Sequence, residues 1–130
     1  MNKEYLFGVD LYNQGYLWES HEAWEGLWRA AGRYSVEGRF LQSLIFNSAA
    51  LLKMHAGCWK GAETHSRRAV RQLNAVCDRL SGDPVFMGLD APLWKARLTA
   101  YYAPLWNGSV TDGAAGLPGS PPCLRLHDNA

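Results

Sequence analysis

Tyr16-Leu17-Trp18-Glu19-Ser20-His21-Glu22-Ala23-Trp24-Glu25-Gly26-Leu27-Trp28 decides the fold of this chain. Three tryptophans, three glutamates and one histidine share this short run. At about 100° per residue, Leu17, His21, Trp24 and Trp28 fall on one helical face, with Leu27 and Ala31 beside it. Glu25 lies one turn beyond His21, within side-chain reach. Glu22 and Arg29 sit further round towards solvent, and Glu19 points away. An aromatic stripe edged by a polar pair marks a helix that buries one face in an all-α domain.

The flanking segments repeat the helical period. Tyr5, Leu6, Val9 and Tyr12 predict a first helix over about Lys3 to Asn13, and Gly15 is placed to stop it in a tight turn. The organising helix ends near Gly32. A third helix is expected from about Glu37 to His55, with Phe40, Leu44, Leu51 and His55 on one face and Leu41, Ile45, Ser48 and Leu52 flanking it. Apolar residues around most of its circumference place it centrally. Asn47 projects from that apolar region and needs a hydrogen-bond partner if buried. A fourth helix runs from near Trp59 to Leu80, stopped by Ser81-Gly82-Asp83-Pro84. After a linker, Asp90 to Tyr102 reads as a shorter fifth helix with Pro92 in its first turn. From Asn107 onward Gly, Ser and Pro dominate, which predicts a flexible tail in which only Leu124 and Leu126 offer docking material. The expected architecture is a compact bundle of four main helices plus a shorter fifth, spanning residues 1–106, with a tail over 107–130.

Composition narrows the function classes. The 130 residues fit one domain, and 48% hydrophobic residues with six tryptophans supply its core. A formal charge of +1 gives no global field towards nucleic acid or an anionic membrane. Lys3, Glu4 and Asp10 interrupt the N-terminal apolar pattern and argue against a signal peptide. Asn47, Lys53 and His55 break the longest apolar run, so no membrane span is expected. Cys58, Cys77 and Cys123 are odd in number and without metal-ligand spacing, which points to a reduced, cytoplasmic protein. The basic segment around Arg67 reads as a solvated helix face. Lys60, Arg67 and Arg71 are expected on one flank, with Arg68 and Arg79 elsewhere, and no nucleic-acid partner is expected.

Two chemistries compete for the polar edge of the second helix. His21-Glu22-Ala23-Trp24-Glu25 is comparable with the His-Glu-x-x-His helix of zinc proteases, Glu25 standing where the second histidine would be. His21 and Glu25 have one-turn spacing suited to a metal, but a third ligand would have to come from a distant His55, His65 or Asn13. The preferred reading is structural and needs no cofactor: His21 bonds Glu25 through one ring nitrogen and Asn13 through the other, closing a buried polar cluster. A di-iron bundle is excluded, because the third helix has no Asp or Glu between Gly38 and Cys58. No Gly-rich phosphate loop, nucleophile elbow or dinucleotide fingerprint occurs.

Leu11-Tyr12-Asn13-Gln14-Gly15-Tyr16, the Glu19-to-Glu25 run, Trp28, Leu41-Gln42-Ser43-Leu44-Ile45, Gly57 and Gly61-Ala62 together resemble the DUF309 family of small helical proteins. The resemblance covers about the first two thirds of the chain. Ser20 stands where that family usually has Ala, Ser43 where Gly is usual, and Phe46 where Gln is common. The family is of unknown function, although its members have been labelled metal-dependent hydrolases, and two readings are weighed, of which the first leads and the second is what that label implies. One is a non-catalytic helical domain that self-associates or binds a protein partner. The other is a hydrolase dependent on a divalent metal such as zinc, with His21, Glu25 and His55 as ligands and Glu22 as general base. Glu22 lies about 100° round the helix from the face of the two ligands, a poor position for that role.

Overall fold

A computed structural model describes residues 1–110 and 116–127 of the chain. Five helices follow one another: α1 (Lys3–Asn13), α2 (Leu17–Ala31), α3 (Val36–His55), α4 (Trp59–Cys77) and α5 (Ala91–Trp106). The expected boundaries of α1 and α2 hold. Gly15, at φ +87°, takes the left-handed turn between them, and Ser35 caps α3 by accepting from the Gly38 amide.

The central place expected for α3 is observed. It packs most extensively on α4 and next on α2, while α1 lies on α2 and α5 on α4. Phe40, Leu41, Leu44, Ala50 and Leu51 are buried on it. Ser20 of α2 meets Ser48 of α3, oxygen to oxygen at 3.2 Å, where two small side chains let the helices approach closely. Trp24 is fully buried, and its indole N–H donates to the Tyr5 carbonyl at 3.2 Å. The contact explains Gly8, because a methyl group there would overlap the Trp24 ring.

Three expectations need correction in the second half. First, α5 is not short: it has 16 residues and runs through Pro104. Pro104 forfeits one intrahelical bond, but the turn beyond it is anchored. Leu105 is buried, Trp106 stacks on Tyr102, and the Trp106 indole N–H donates to Ser66 Oγ at 2.9 Å.

Second, the linker before α5 holds a small antiparallel hairpin, β1 (Val85–Phe86) and β2 (Leu89–Asp90). Met87 and Gly88 turn it with φ +50° and +80°, as a two-residue hairpin turn requires. Met87 is an unusual residue for such a φ. Its carbonyl accepts from the buried Tyr5 hydroxyl at 2.9 Å, and Phe86 packs edge-on against Phe40, so tertiary contacts hold the turn.

Third, the described part of the tail is docked. Residues 116–127 form no helix or strand, as expected, yet Leu117 and Leu124 are buried. Asn13 of α1 clamps Leu124 with two bonds, its amide donating to the Leu124 carbonyl and its side-chain oxygen accepting from the Leu124 amide, both at 2.8 Å. Its composition suggested too little apolar surface to order, but specific hydrogen bonds to α1 supply part of what hydrophobicity lacks. Residues 111–115 and 128–130 of the expected tail lie outside the described residues. Among the described residues, no helix is long and apolar enough to cross a membrane.

Tyr5, Tyr12 and Tyr102 are all buried, and burial pushes each phenol well above its usual pKa. The fold therefore favours the neutral phenol. Its contribution is full below the unfolded value near 10 and declines as pH rises beyond it, by up to about 1.4 kcal/mol per pH unit for each tyrosine. Alkaline titration followed by tyrosinate absorbance and circular dichroism should show these three ionising together with loss of helicity. Full ionisation of all six tyrosines near pH 10 with the helices intact would contradict this burial.

Candidate functional site

The residues singled out on α2 do not form the expected closed cluster. His21 Nδ1 stands 3.6 Å from Glu25 Oε2, too far for a hydrogen bond, and both side chains are partly exposed. Glu25 is instead engaged by Arg29, whose Nη2 donates to Oε1 at 2.6 Å. Such an exposed, solvent-screened pair contributes little. His21 stacks flat on Trp18, rings 5.4 Å apart, and its buried Nδ1 has no partner. Asn13, expected to meet His21, is committed to Leu124. Glu22 is exposed. His55 lies exposed at the end of α3 and lines a separate groove of about 260 Å³ with Asn13, Leu51 and the docked tail.

His21, Glu25 and His55 are thus not brought together, and among the described residues no three His, Cys, Asp or Glu side chains are grouped to hold a metal. The ligand set implied for a hydrolase does not fit this geometry.

The closed polar network forms elsewhere, on the inner side of α3. The Tyr102 hydroxyl of α5 donates to Asn47 Oδ1 at 2.6 Å, and Asn47 Nδ2 donates to the Tyr12 hydroxyl of α1 at 3.0 Å. Tyr12 in turn donates to the Pro122 carbonyl of the tail at 2.9 Å. Three helices and the tail are joined by a relay in which each donor has an acceptor. The demand of Asn47 for a partner was readable in the sequence, whereas the partners were not.

The outer side of α3 is left open between α2 and α4. Arg39, Gln42, Phe46, Ala49 and Lys53 recur there at helical spacing, opposite Asn47, and none is fully buried. A pocket of about 390 Å³ opens on this face, with Arg33 and Arg39 on one side and Arg68 and Arg71 of α4 on the other. Gln42 and Gln72 form its polar floor: Gln72 Nε2 donates to Gln42 Oε1 at 2.6 Å, and Arg39 Nη1 donates to Gln72 Oε1 at 3.3 Å. Tyr34 and Phe46 complete the wall.

The arginines differ from the sequence expectation. Arg68 and Arg71 converge, while Arg67 turns away to pair with Glu63 at 3.0 Å and cover Trp106. His65, considered above only as a distant metal ligand, is half-buried and stacks on Phe46 with ring centroids 5.9 Å apart. Burial, with repulsion from Arg68, Lys53 and His21, pushes its imidazole below the usual histidine range. Phe46, which takes a position where the DUF309 resemblance favours Gln, is therefore part of this face and not of the interior.

Among the described residues, five buried side-chain nitrogens have no hydrogen-bond partner, and Arg39 Nε, His21 Nδ1 and His65 Nδ1 are three of them. All three belong to side chains on or beside the open face of α3. Buried donors and acceptors are ordinarily satisfied.

No curated protein matches the chain. A family model described as "Domain of unknown function (DUF309)" matches residues 5–65, which span α1, α2, α3 and the start of α4. Arg33 and Arg39 fall inside the matched stretch, and Arg68 and Arg71 lie just beyond it. The resemblance to DUF309 is thus matched by the family model over residues 5–65, a domain of unknown function.

Proposed function

We propose that the protein is a non-catalytic binding domain whose ligand seats on the open face of α3 between α2 and α4. One observation carries this reading: the pocket on that face gathers side chains from α3, α4 and the α2–α3 connection around a common space. The side chains suited to hydrolysis, His21, Glu22, Glu25 and His55, share no such space. A pocket of this volume lies within the range usual for small-molecule sites. The free thiols of Cys58, Cys77 and Cys123 support a cytoplasmic setting, where cysteines stay reduced.

The non-catalytic half of the proposal is tested by assaying p-nitrophenyl phosphate and p-nitrophenyl acetate with added zinc or manganese. Turnover is expected to stay at the background of buffer and metal, and to be the same for Glu22→Gln and His21→Ala. Metal-dependent turnover abolished by both substitutions would replace this reading with the hydrolase.

A further inference from the structure

We propose that the pocket on the open face of α3 binds a small phosphorylated molecule carrying at least two phosphate groups. This inference rests on the reading of that face as a binding surface, and names its ligand class.

Charge is the first argument. The pocket concentrates four of the chain's 13 Lys and Arg residues, although the chain as a whole carries only +1. Among the described residues, no Asp or Glu lines it. Four guanidinium groups around one space repel one another unless an anion joins them, and a single phosphate would neutralise only about half of that charge.

Geometry is the second. Arg33 and Arg39 stand over the ring of Tyr34 at 5.9 and 5.8 Å, and Arg68 over the ring of Phe46 at 5.9 Å. Arg79 holds the Tyr34 carbonyl at 3.2 Å and so tethers the connection that carries this ring. Aromatic faces thus steady three of the four arginines before a ligand arrives, which lowers the ordering cost of binding. Planar guanidinium forks suit phosphate oxygens, which accept two parallel bonds. Arg39 Nε is a buried donor without an acceptor, the group a phosphate oxygen would satisfy.

Size and surroundings are the third. About 390 Å³ is more than one inorganic ion needs and suits a compact ester or anhydride. A nucleic-acid backbone would instead require a basic track extending beyond the pocket. On α4 the next arginine, Arg67, is neutralised by Glu63 and faces Trp106, so the basic surface does not continue in that direction, and Arg79 on the other side is engaged by the Tyr34 carbonyl.

The experiment titrates full-length protein with inorganic pyrophosphate at constant ionic strength, by calorimetry and by following the Gln42 and Gln72 side-chain amides in ¹H–¹⁵N spectra. Saturable one-site binding is expected, about tenfold or more tighter than sulfate. Arg68→Gln and Arg71→Gln should each weaken it about tenfold, while Arg97→Gln, which removes the same charge from α5, should leave it unchanged. Circular dichroism of each variant confirms that the fold persists, and Arg33→Gln, in an exposed connection, serves if an α4 variant unfolds.

Pyrophosphate binding no tighter than sulfate, or indifferent to the pocket arginines, would overturn the proposal. So would tighter, steeply salt-dependent binding of single-stranded oligouridylate, which would indicate nucleic acid. Arginine-dependent binding of citrate without pyrophosphate would overturn the phosphate class and leave the binding surface standing. Gln42 and Gln72 signals unmoved by pyrophosphate, citrate and oligouridylate alike would overturn both.

Discussion

Replacing Leu124 with alanine is expected to destabilise the protein by about 2–5 kcal/mol, the range for truncating a buried leucine. Leu124 is 3% exposed, and its backbone makes both bonds to Asn13. The loss has a natural ceiling. Once it exceeds the docking free energy of residues 116–127, the segment detaches and further damage costs nothing. Deleting everything beyond Val110 reaches that ceiling directly, because it also strips Leu117 and the acceptor of the Tyr12 hydroxyl. The deletion should therefore lower the thermal midpoint at least as far as Leu124→Ala, by several degrees or more. Urea denaturation and thermal scans of both variants provide the check. A midpoint within a degree of the parent would show that the segment contributes nothing to stability, as its composition alone suggests.

Asn47→Leu is expected to cost about 1–3 kcal/mol, although it adds apolar surface to a buried site. Asn47 is 1% exposed and Tyr102 fully buried, so the Tyr102 hydroxyl loses its acceptor with no water to replace it. Each orphaned group costs about 1–3 kcal/mol. Tyr12 loses a donor but keeps its bond to Pro122, so Tyr102 carries most of the penalty. The network gives a specific signature in a double-mutant cycle. Tyr102→Phe alone leaves Asn47 Oδ1 unsatisfied, but in the Asn47→Leu background it removes the orphaned hydroxyl. The double variant should then be more stable than the sum of the singles by about 1 kcal/mol or more. Additive effects within about 0.3 kcal/mol would mean that the two side chains act independently and that the relay is not a unit.

The helices themselves were legible because their signals are local. The recurrence of Leu17, Trp24 and Trp28, the left-handed turn at Gly15 and the Ser-Gly-Asp-Pro stop after α4 each depend on residues within a turn or two of one another. The last turn of α5 was not legible, because Trp106 reaching Ser66 on another helix holds it despite the N–H that Pro104 lacks. The hairpin at Met87 has no local signal for the same reason, since a methionine with positive φ is held there by contacts from Tyr5 and Phe40.

The candidate site shows the same division more sharply. One-turn spacing placed His21 beside Glu25, but Arg29, on the next turn of the same helix, competes for the carboxylate at 2.6 Å. Asn13 went to the tail, a partner 111 residues away. Arg33, Arg39, Arg68 and Arg71 carry no common motif, and helical period gives each only a direction on its own helix.

By itself the sequence determined that the chain is all-α, that α3 is its centre, that Trp24 is core and that residues 5–65 match the DUF309 family. Those properties follow from periodicity, capping chemistry and a contiguous motif, all of which are written along the chain. Only the tertiary structure decided which polar groups meet. Asn47 joins Tyr12 to Tyr102, and four arginines share one pocket. Such meetings depend on the relative rotation of packed helices, set by how side chains such as Gly8 against Trp24 and Ser20 against Ser48 interlock, and no single helix encodes that rotation.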